Sequence, residues 1–468
     1  MVAIGGLYLY NLNGVGVLGP DEPRYLAIGR TMAQTGDWTT PKLWGSPWFE
    51  KPPLLYWMTA AGTALGLGPE LSGRLPVALL SLAFLGAAFA LLRREFGTRA
   101  AVIAVILLAT CAGWLAYSDL GLTDTPLAVF FSLAMFLALP LLREANHVSI
   151  RLAAIGVCLG LAVLAKGLVP LALAMPGIWF LRRYWKHSWL PVLCCLIVAG
   201  PWYITMYLRH GAAFVDDLFL KQHFARLYSA TLQHVQPWYY YLPVLLGGMF
   251  PWTPLLGLLL RRGGVWDARR RFLLTMVLFG FILFSVSVNK LPGYLLPLLP
   301  ALFVLIGSEF ARRELSDLRR GWLAPCAVLI ALIPLLAVTL PEMLRAGRIT
   351  AFRFPGIQAT TVFYMAVPLV TLLVARRSWV APLLVLCVAG EGIYLKGTTY
   401  PILDEQVSAR GLWRELQKQN DSFCDGGIER DWLYGLNFYR GEALPVCSAS
   451  YKLALRSEGG KPILKSLQ

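Results

Sequence analysis

Apolar stretches long enough to cross about 30 Å of hydrocarbon recur along the chain, with short polar turns between them. They lie at roughly 1–19, 74–92, 100–118, 125–142, 151–166, 168–181, 189–207, 241–260, 272–288, 292–311, 322–341, 358–375 and 378–395. About thirteen such runs predict an all-α polytopic membrane protein. The fifth and sixth are short and meet at Lys166-Gly167, so they read either as two spans or as one broken hairpin. The stretch 52–70, with its run of Gly, Thr and Pro, reads as a re-entrant or interfacial piece and not as a full span.

The first long polar interruption runs from Gly19 to Tyr56 and carries Asp21, Glu22, Arg24, Arg30, Asp37, Lys42, Glu50 and Lys51. Charge beside a bilayer needs a reason. Pro20 and Pro23 suit a helical first turn, and Tyr25, Ile28, Gly29 and Met32 recur at helical spacing, so a short helix is predicted here. The breakers G-D-W and W-G-S-P-W end it. The spacing of Asp21 and Arg24 puts acid and base on one helical face, while Glu50 and Lys51 stand immediately before Pro52-Pro53 at the mouth of the next apolar segment. The same pattern also suits an interfacial helix whose ions only anchor it among headgroups.

Basic residues set the orientation. Arg93-Arg94, Arg143 with Arg151, Arg182-Arg183 with Lys186, Arg261-Arg262 with Arg269 to Arg271, Arg312-Arg313 with Arg319-Arg320, and Arg376-Arg377 fall in alternate short loops. Those loops read as cytoplasmic. The first outer loop with its juxtamembrane helices (19–73), the turns at Asp119 to Asp124, Lys166 and Asn289-Lys290, a second large outer loop (207–240) and the tail then share the opposite side. In the second large loop Asp216, Leu220, His223 and Leu227 recur at helical spacing, which predicts a helix lying on the membrane. The division that follows is a transmembrane catalytic domain over 1–395 and a charged, Gly-rich outer portion over 396–468, large enough only for a small lid or domain.

The chain has 468 residues, 57% of them hydrophobic and 15% charged, with mean hydropathy +0.60. A formal charge of +16 would suit nucleic acid, but the Lys and Arg residues cluster at the ends of apolar runs and form no continuous basic face, which argues against that partner. Of the eight cysteines, Cys111, Cys158, Cys194, Cys195, Cys326 and Cys387 lie within apolar runs and read as small buried hydrophobes. Cys424 and Cys447 sit in polar sequence, and an outer location of the tail allows them to pair. The N-terminus lacks a basic region and a small-residue cleavage site, so it reads as a first span and not a removed signal. No Walker loop, GxGxxG, HExxH or GxSxG motif is present, which argues against a nucleotide-driven pump.

The outer side therefore gathers Asp21, Glu22, Arg24, Glu50, Lys51, Asp119, Asp124, Lys166, Lys221, His223, Arg226, Lys290 and Tyr294 at one membrane level. Lys as a point charge and Arg as a fork suit phosphate, and a carboxylate is able to accept a proton or orient a nucleophile. Plainer roles exist for each. Asp119 or Asp124 suits a helix cap before Pro126, Lys166 a snorkelling position, His223 a solvated interface and Tyr294 an aromatic belt.

The segments G-P-D-E-P-R-Y, R-T-M-A-Q-T-G-D-W, P-W-F-E-K-P-P-L-L-Y-W, L-T-D-T-P-L-A, L-A-K-G-L-V-P, H-F-A-R-L and K-L-P-G-Y-L-L-P occur in this order between residues 19 and 300. Together they resemble the bacterial aminoarabinose transferases of lipid A. Those are membrane glycosyltransferases of the GT-C type, related to protein O-mannosyltransferases. The resemblance implies a multi-pass protein of the bacterial inner membrane, acting as a monomer among membrane lipids with its active site toward the periplasm. It also implies transfer of an aminoarabinose or similar sugar from a polyprenyl-phosphate donor to a lipid A phosphate. By position, Asp21 and Asp124 resemble the catalytic acids. Lys51, Arg226 and Tyr294 resemble ligands of the donor phosphate, and Arg24, Lys166 and Lys290 are the further cations expected at the substrate. Glu50 and His223 fall where the family can hold a divalent metal such as zinc, although two protein ligands make only half a tetrahedral shell. An acceptor on a protein or another envelope glycan is the second reading. A secondary transporter or lipid flippase would instead place ions at span centres within inverted repeats, and the sequence has neither.

Overall fold

The computed structural model describes residues 2–143, 146–218, 236–260, 266–313, 319–346, 356–419, 423–448, 451–458 and 460–466. Among them, seven helices are long and apolar enough to cross a membrane: Leu71–Phe96, Asp124–Leu142, Val148–Lys166, Trp189–His210, Pro292–Ala311, Gly321–Pro341 and Ser378–Val407. Two bent pairs, Thr98–Ala109 with Ala112–Ser118 at 62° and Tyr241–Gly248 with Thr253–Leu260 at 108°, raise the number to nine. The difference from about thirteen expected runs has local causes. Val169–Phe180 and Ala359–Val374 are apolar but short. The helix Ala268–Val286 opens on Arg269, Arg270 and Arg271, and the first run is helical only over Val2–Leu9. The two bends face each other. The Ala112 amide, freed by the first break, donates to the Phe250 carbonyl in the second at 2.8 Å, so neither break leaves that backbone pair unsatisfied. The stretch 52–70 contains an 11-residue helix, Leu54–Ala64.

Consecutive helices run back and forth, so the bundle has two chemically different ends. At the arginine-rich end Arg269 pairs with Glu95 at 3.1 Å and Arg270 with Glu309 at 2.8 Å, joining three helices. The other end carries the polar segment between residues 19 and 56. Its helix spans Asp21–Thr35, with Asp21 and Glu22 in the first turn where the helix dipole favours negative charge. Tyr25, Ile28, Gly29 and Met32 are buried, as their spacing predicted. A two-stranded hairpin follows, Lys42–Leu43 against Ser46–Pro47, turned by Trp44 and Gly45 at φ 48° and 88°. Both residues are left-handed, as a tight two-residue hairpin turn requires.

The C-terminal portion corrects the all-α expectation. Beyond the helix Arg377–Val407, which runs through the expected boundary at 395, lies a small mixed unit. Its strand Phe423–Asp425 pairs in parallel with Leu453–Glu458, which pairs antiparallel with Lys461–Ser466. Leu416, Phe423, Ile428, Leu436, Leu444 and Leu455 form its own core. Cys424 and Cys447 are disulfide-bonded and enclose the helix Arg430–Arg440 within one loop.

Candidate active site

The polar end of the bundle holds two ion-pair systems that start from adjacent residues. Glu22 turns inward to Arg74, the first residue of the apolar run that follows the polar segment, and both side chains are 1% exposed. The Arg74 guanidinium donates to both Glu22 oxygens at 2.7 Å and to the carbonyls of Leu12, Val15 and Gly16 at 2.6 to 2.9 Å. Every N–H of the fork has an acceptor. Glu22 also accepts from the Leu18 and Gly121 amides at 2.9 Å, which ties the loop before Asp124 to the helix that carries Asp21.

Asp21 faces the other way, with its side chain 38% exposed. Arg24, one turn on, pairs with Asp21 and with Glu50 at 2.6 Å. Glu50 also accepts from Lys51 at 3.2 Å. Burial opposes the Arg24 charge, yet Glu50, Tyr25 and Asp21 outweigh it and hold the guanidinium more firmly protonated than an ordinary arginine. Rings surround it: the guanidinium carbon lies 5.5 Å from the Trp48 centroid, 5.9 Å from Tyr25 and 5.4 Å from Tyr434. Arg24 therefore sits 3% exposed between two carboxylates, and its geometry suits orienting Asp21 and Glu50 better than a direct grip on substrate.

Asp124 is the first residue of the helix Asp124–Ala138, whose N-cap position, Thr123, makes no side-chain cap. The Asp124 carboxylate does not cap the helix either; it accepts from Lys166 at 2.5 Å. The Lys166 ammonium stands 4.8 Å above the Tyr294 ring, a cation–π contact. Gly293 is required beside it, because a Cβ there would strike the Asp124 carboxylate and Tyr117. Tyr117 thus flanks the same close approach at Gly293 as the Asp124 carboxylate. Lys290 is 5% exposed and donates to the Ser287 and Gln236 carbonyls at 2.6 and 3.1 Å. Among the described residues it pairs with no carboxylate, and burial lowers its ammonium below the usual lysine range. Asp119, also expected on this side, pairs instead with Lys396 at 2.6 Å and accepts from Tyr400 at 3.1 Å, which fastens the start of the tail.

The structure thus brings Asp21, Arg24, Glu50 and Lys51 into one group, and Asp124, Lys166 and Tyr294 into a second. Lys221, His223, Arg226 and His234 lie outside the described residues. Among the described residues no three His, Cys, Asp or Glu side chains come together as a metal site. Glu50 gives its two oxygens to Arg24 and Lys51. His223, the other residue expected to hold the metal, is among those outside the described residues. Sequence reading missed Trp48, Tyr117 and Tyr434, which shape the site without charge; Trp48 and Tyr117 are aromatics in polar or boundary sequence, the one signal that marks them.

A cluster of alternating acids and cations at a bundle mouth is able to hold an anion against the cations while a carboxylate aligns a second group. The comparisons agree with that chemistry. Residues 50–205 match the dolichyl-phosphate-mannose-protein mannosyltransferase family. The chain is 32% identical over 328 residues to an undecaprenyl phosphate-alpha-4-amino-4-deoxy-L-arabinose arabinosyl transferase of Pseudomonas aeruginosa, covering 67% of this chain and 59% of the relative. It is 32% identical over 330 residues to the corresponding transferase 2 of Pseudomonas fluorescens, covering 67% of this chain and 56% of the relative. The chain thus matches less than two thirds of the length of these relatives. Its fold is similar to that of ArnT from Cupriavidus metallidurans, solved bound to undecaprenyl phosphate, with TM-score 0.75, 24% identity, and coverage of 95% of this chain and 88% of that one.

Proposed function

We propose that this chain is a member of the aminoarabinose transferase family of GT-C membrane glycosyltransferases and that it transfers a sugar from a polyprenyl-phosphate donor to a lipid A phosphate. The sugar is an aminoarabinose or a close analogue, and the reaction takes place at the periplasmic face of the bacterial inner membrane. The enzyme acts there as a monomer, with nine to about thirteen spans once shorter apolar helices are counted. The single observation that supports this most is the exposed Asp21 beside a buried row of paired charges, Arg24, Glu50 and Lys51.

The donor's leaving group is a phosphate, already a stable anion, so the protein has to supply positive charge and placement. Lys51, Lys166 and Lys290 suit that task, together with Arg226 from the second outer loop. Tyr294, under the Lys166 ammonium, steers that cation. An acceptor phosphate needs little deprotonation near neutral pH, so Asp21 aligns it, and Asp124 sets the position of Lys166. Purified protein given undecaprenyl-phosphate aminoarabinose and lipid A is expected to yield lipid A heavier by one aminopentose, read by mass spectrometry. A second reading, a protein or glycan hydroxyl as acceptor, draws on the protein mannosyltransferase match over residues 50–205. Glycosylated peptide or glycan with lipid A untouched would establish it in place of the first.

A further inference from the structure

Among the described residues, the C-terminal unit meets the Arg24 group through the Tyr434 ring. Tyr434 lies on the helix Arg430–Arg440, inside the loop closed by Cys424 and Cys447. Its centroid is 5.4 Å from the Arg24 guanidinium carbon, 5.2 Å from that of Arg430 and 5.2 Å from the Trp44 ring. The helix does not need this contact in order to dock. One turn further on, the Tyr439 hydroxyl donates to Glu70 at 2.7 Å and accepts from the Val17 amide at 3.0 Å. Arg30 donates to the Phe438 carbonyl at 2.6 Å and covers its ring at 4.7 Å. Arg410 joins Asp404 at 2.7 Å to Glu70 at 3.4 Å and to the Asn13 and Gly14 carbonyls.

We propose that Tyr434 is a positioning residue for the transfer reaction, seating the Arg24 guanidinium so that Asp21 and Glu50 hold their directions, and that the C-terminal unit is therefore a wall of the active site. The inference rests on the proposed sugar transfer for its rate readout only. Arg24 donates from all three of its nitrogens, to the Pro20 carbonyl, Asp21 and Glu50, without help from Tyr434. What Tyr434 adds is a π face toward the cation and a barrier to water, and a partly desolvated contact of that kind changes an equilibrium by roughly fivefold to thirtyfold.

Tyr434→Leu keeps apolar bulk and removes the ring face. It is expected to lower kcat about tenfold with the donor KM little changed, and Tyr434→Phe is expected to recover most of that loss. Combined with Arg24→Lys, Tyr434→Leu should add almost nothing, because both changes release the same guanidinium. The same set of proteins unfolded by heat gives the pairwise coupling without substrate. Coupling there, with a wild type unable to transfer sugar, would sink the proposed reaction and keep the contact. Additive effects in unfolding overturn the inference whether or not the wild type transfers sugar, and so does a Tyr434→Leu protein as active as the wild type.

Discussion

Glu22 and Asp21 are neighbours on one helix, both acids and both beside an arginine, yet they belong to different chemistries. Glu22 meets Arg74 in a dry setting where five N–H donors and two carboxylate oxygens are all satisfied. Asp21 meets Arg24 at the edge of the bundle with its side chain 38% exposed. A saturated pair cannot take up a ligand without leaving a buried charge alone, which makes it a structural tie. A pair open on one side can. The tie also serves the open face, since Glu22 holds the Gly121 amide and so fixes the approach to Asp124.

Breaking the tie is expected to give the largest effect. Arg74→Ala leaves Glu22 charged and buried, at about 3–5 kcal/mol, and frees the carbonyls of Leu12, Val15 and Gly16. Thermal unfolding in detergent should show it as loss of folded protein, with activity lost in proportion. Arg74→Lys should rescue little, because three ammonium donors cannot cover a fork of five.

The open face should respond in the opposite sense. Asp21→Asn is expected to keep stability within about 0.5 kcal/mol and to cut turnover roughly a hundredfold or more. Measured side by side, the two variants separate an acid that builds the fold from one that uses it. Full transfer activity in well-folded Asp21→Asn protein would end the role given to Asp21.

Much of this contrast was legible in the sequence, but not which acid did which. The spacing of Tyr25, Ile28, Gly29 and Met32 marked the buried face of the helix, and Asp21 with Arg24 marked the polar one. Glu22 stood among the candidate acids because hydrophobic periodicity does not say where its partner lies. Arg74, 52 positions away, was counted as the edge of an apolar run although an arginine within such a run signals a buried ion partner. Span positions were legible where helices are straight. Where Thr110-Cys111 and Met249 to Trp252 break the helices, apolar composition continues across the bend and hides it. The contact of Tyr434 with Arg24 joins residues 410 positions apart through a small sheet, and short strands such as Phe423–Asp425 give almost no periodic signal.

Within the open face, Lys51 provides a smaller test. Its side chain is 8% exposed, and its ammonium pairs with Glu50, which Arg24 also holds. Lys51→Ala therefore leaves Glu50 with its stronger partner, so the fold should survive. The donor phosphate loses one cation, and its KM is expected to rise about twentyfold, within the roughly 1.5–3 kcal/mol typical of a charged hydrogen bond. A change in kcat with KM unmoved would assign Lys51 to the acceptor side instead.

The smallest effect separates function from fold by sign. Burial lowers the Lys290 ammonium, so it gives up its proton at a lower pH than an ordinary lysine, whose value is 10.5. Between the lowered value and the unfolded one, the unfolded chain binds more protons than the folded protein, and stability therefore rises with pH through that window. Donor binding should do the reverse, because the phosphate loses a cation over the same range. Affinity falling by a few-fold while the unfolding midpoint holds or rises would tie Lys290 to the donor. Lys290→Arg keeps its charge at every pH used and should flatten the affinity profile on the alkaline side. If affinity and stability instead fall together with rising pH, and the arginine variant follows the wild type, the alkaline loss comes from the fold and Lys290 has no part in holding the phosphate.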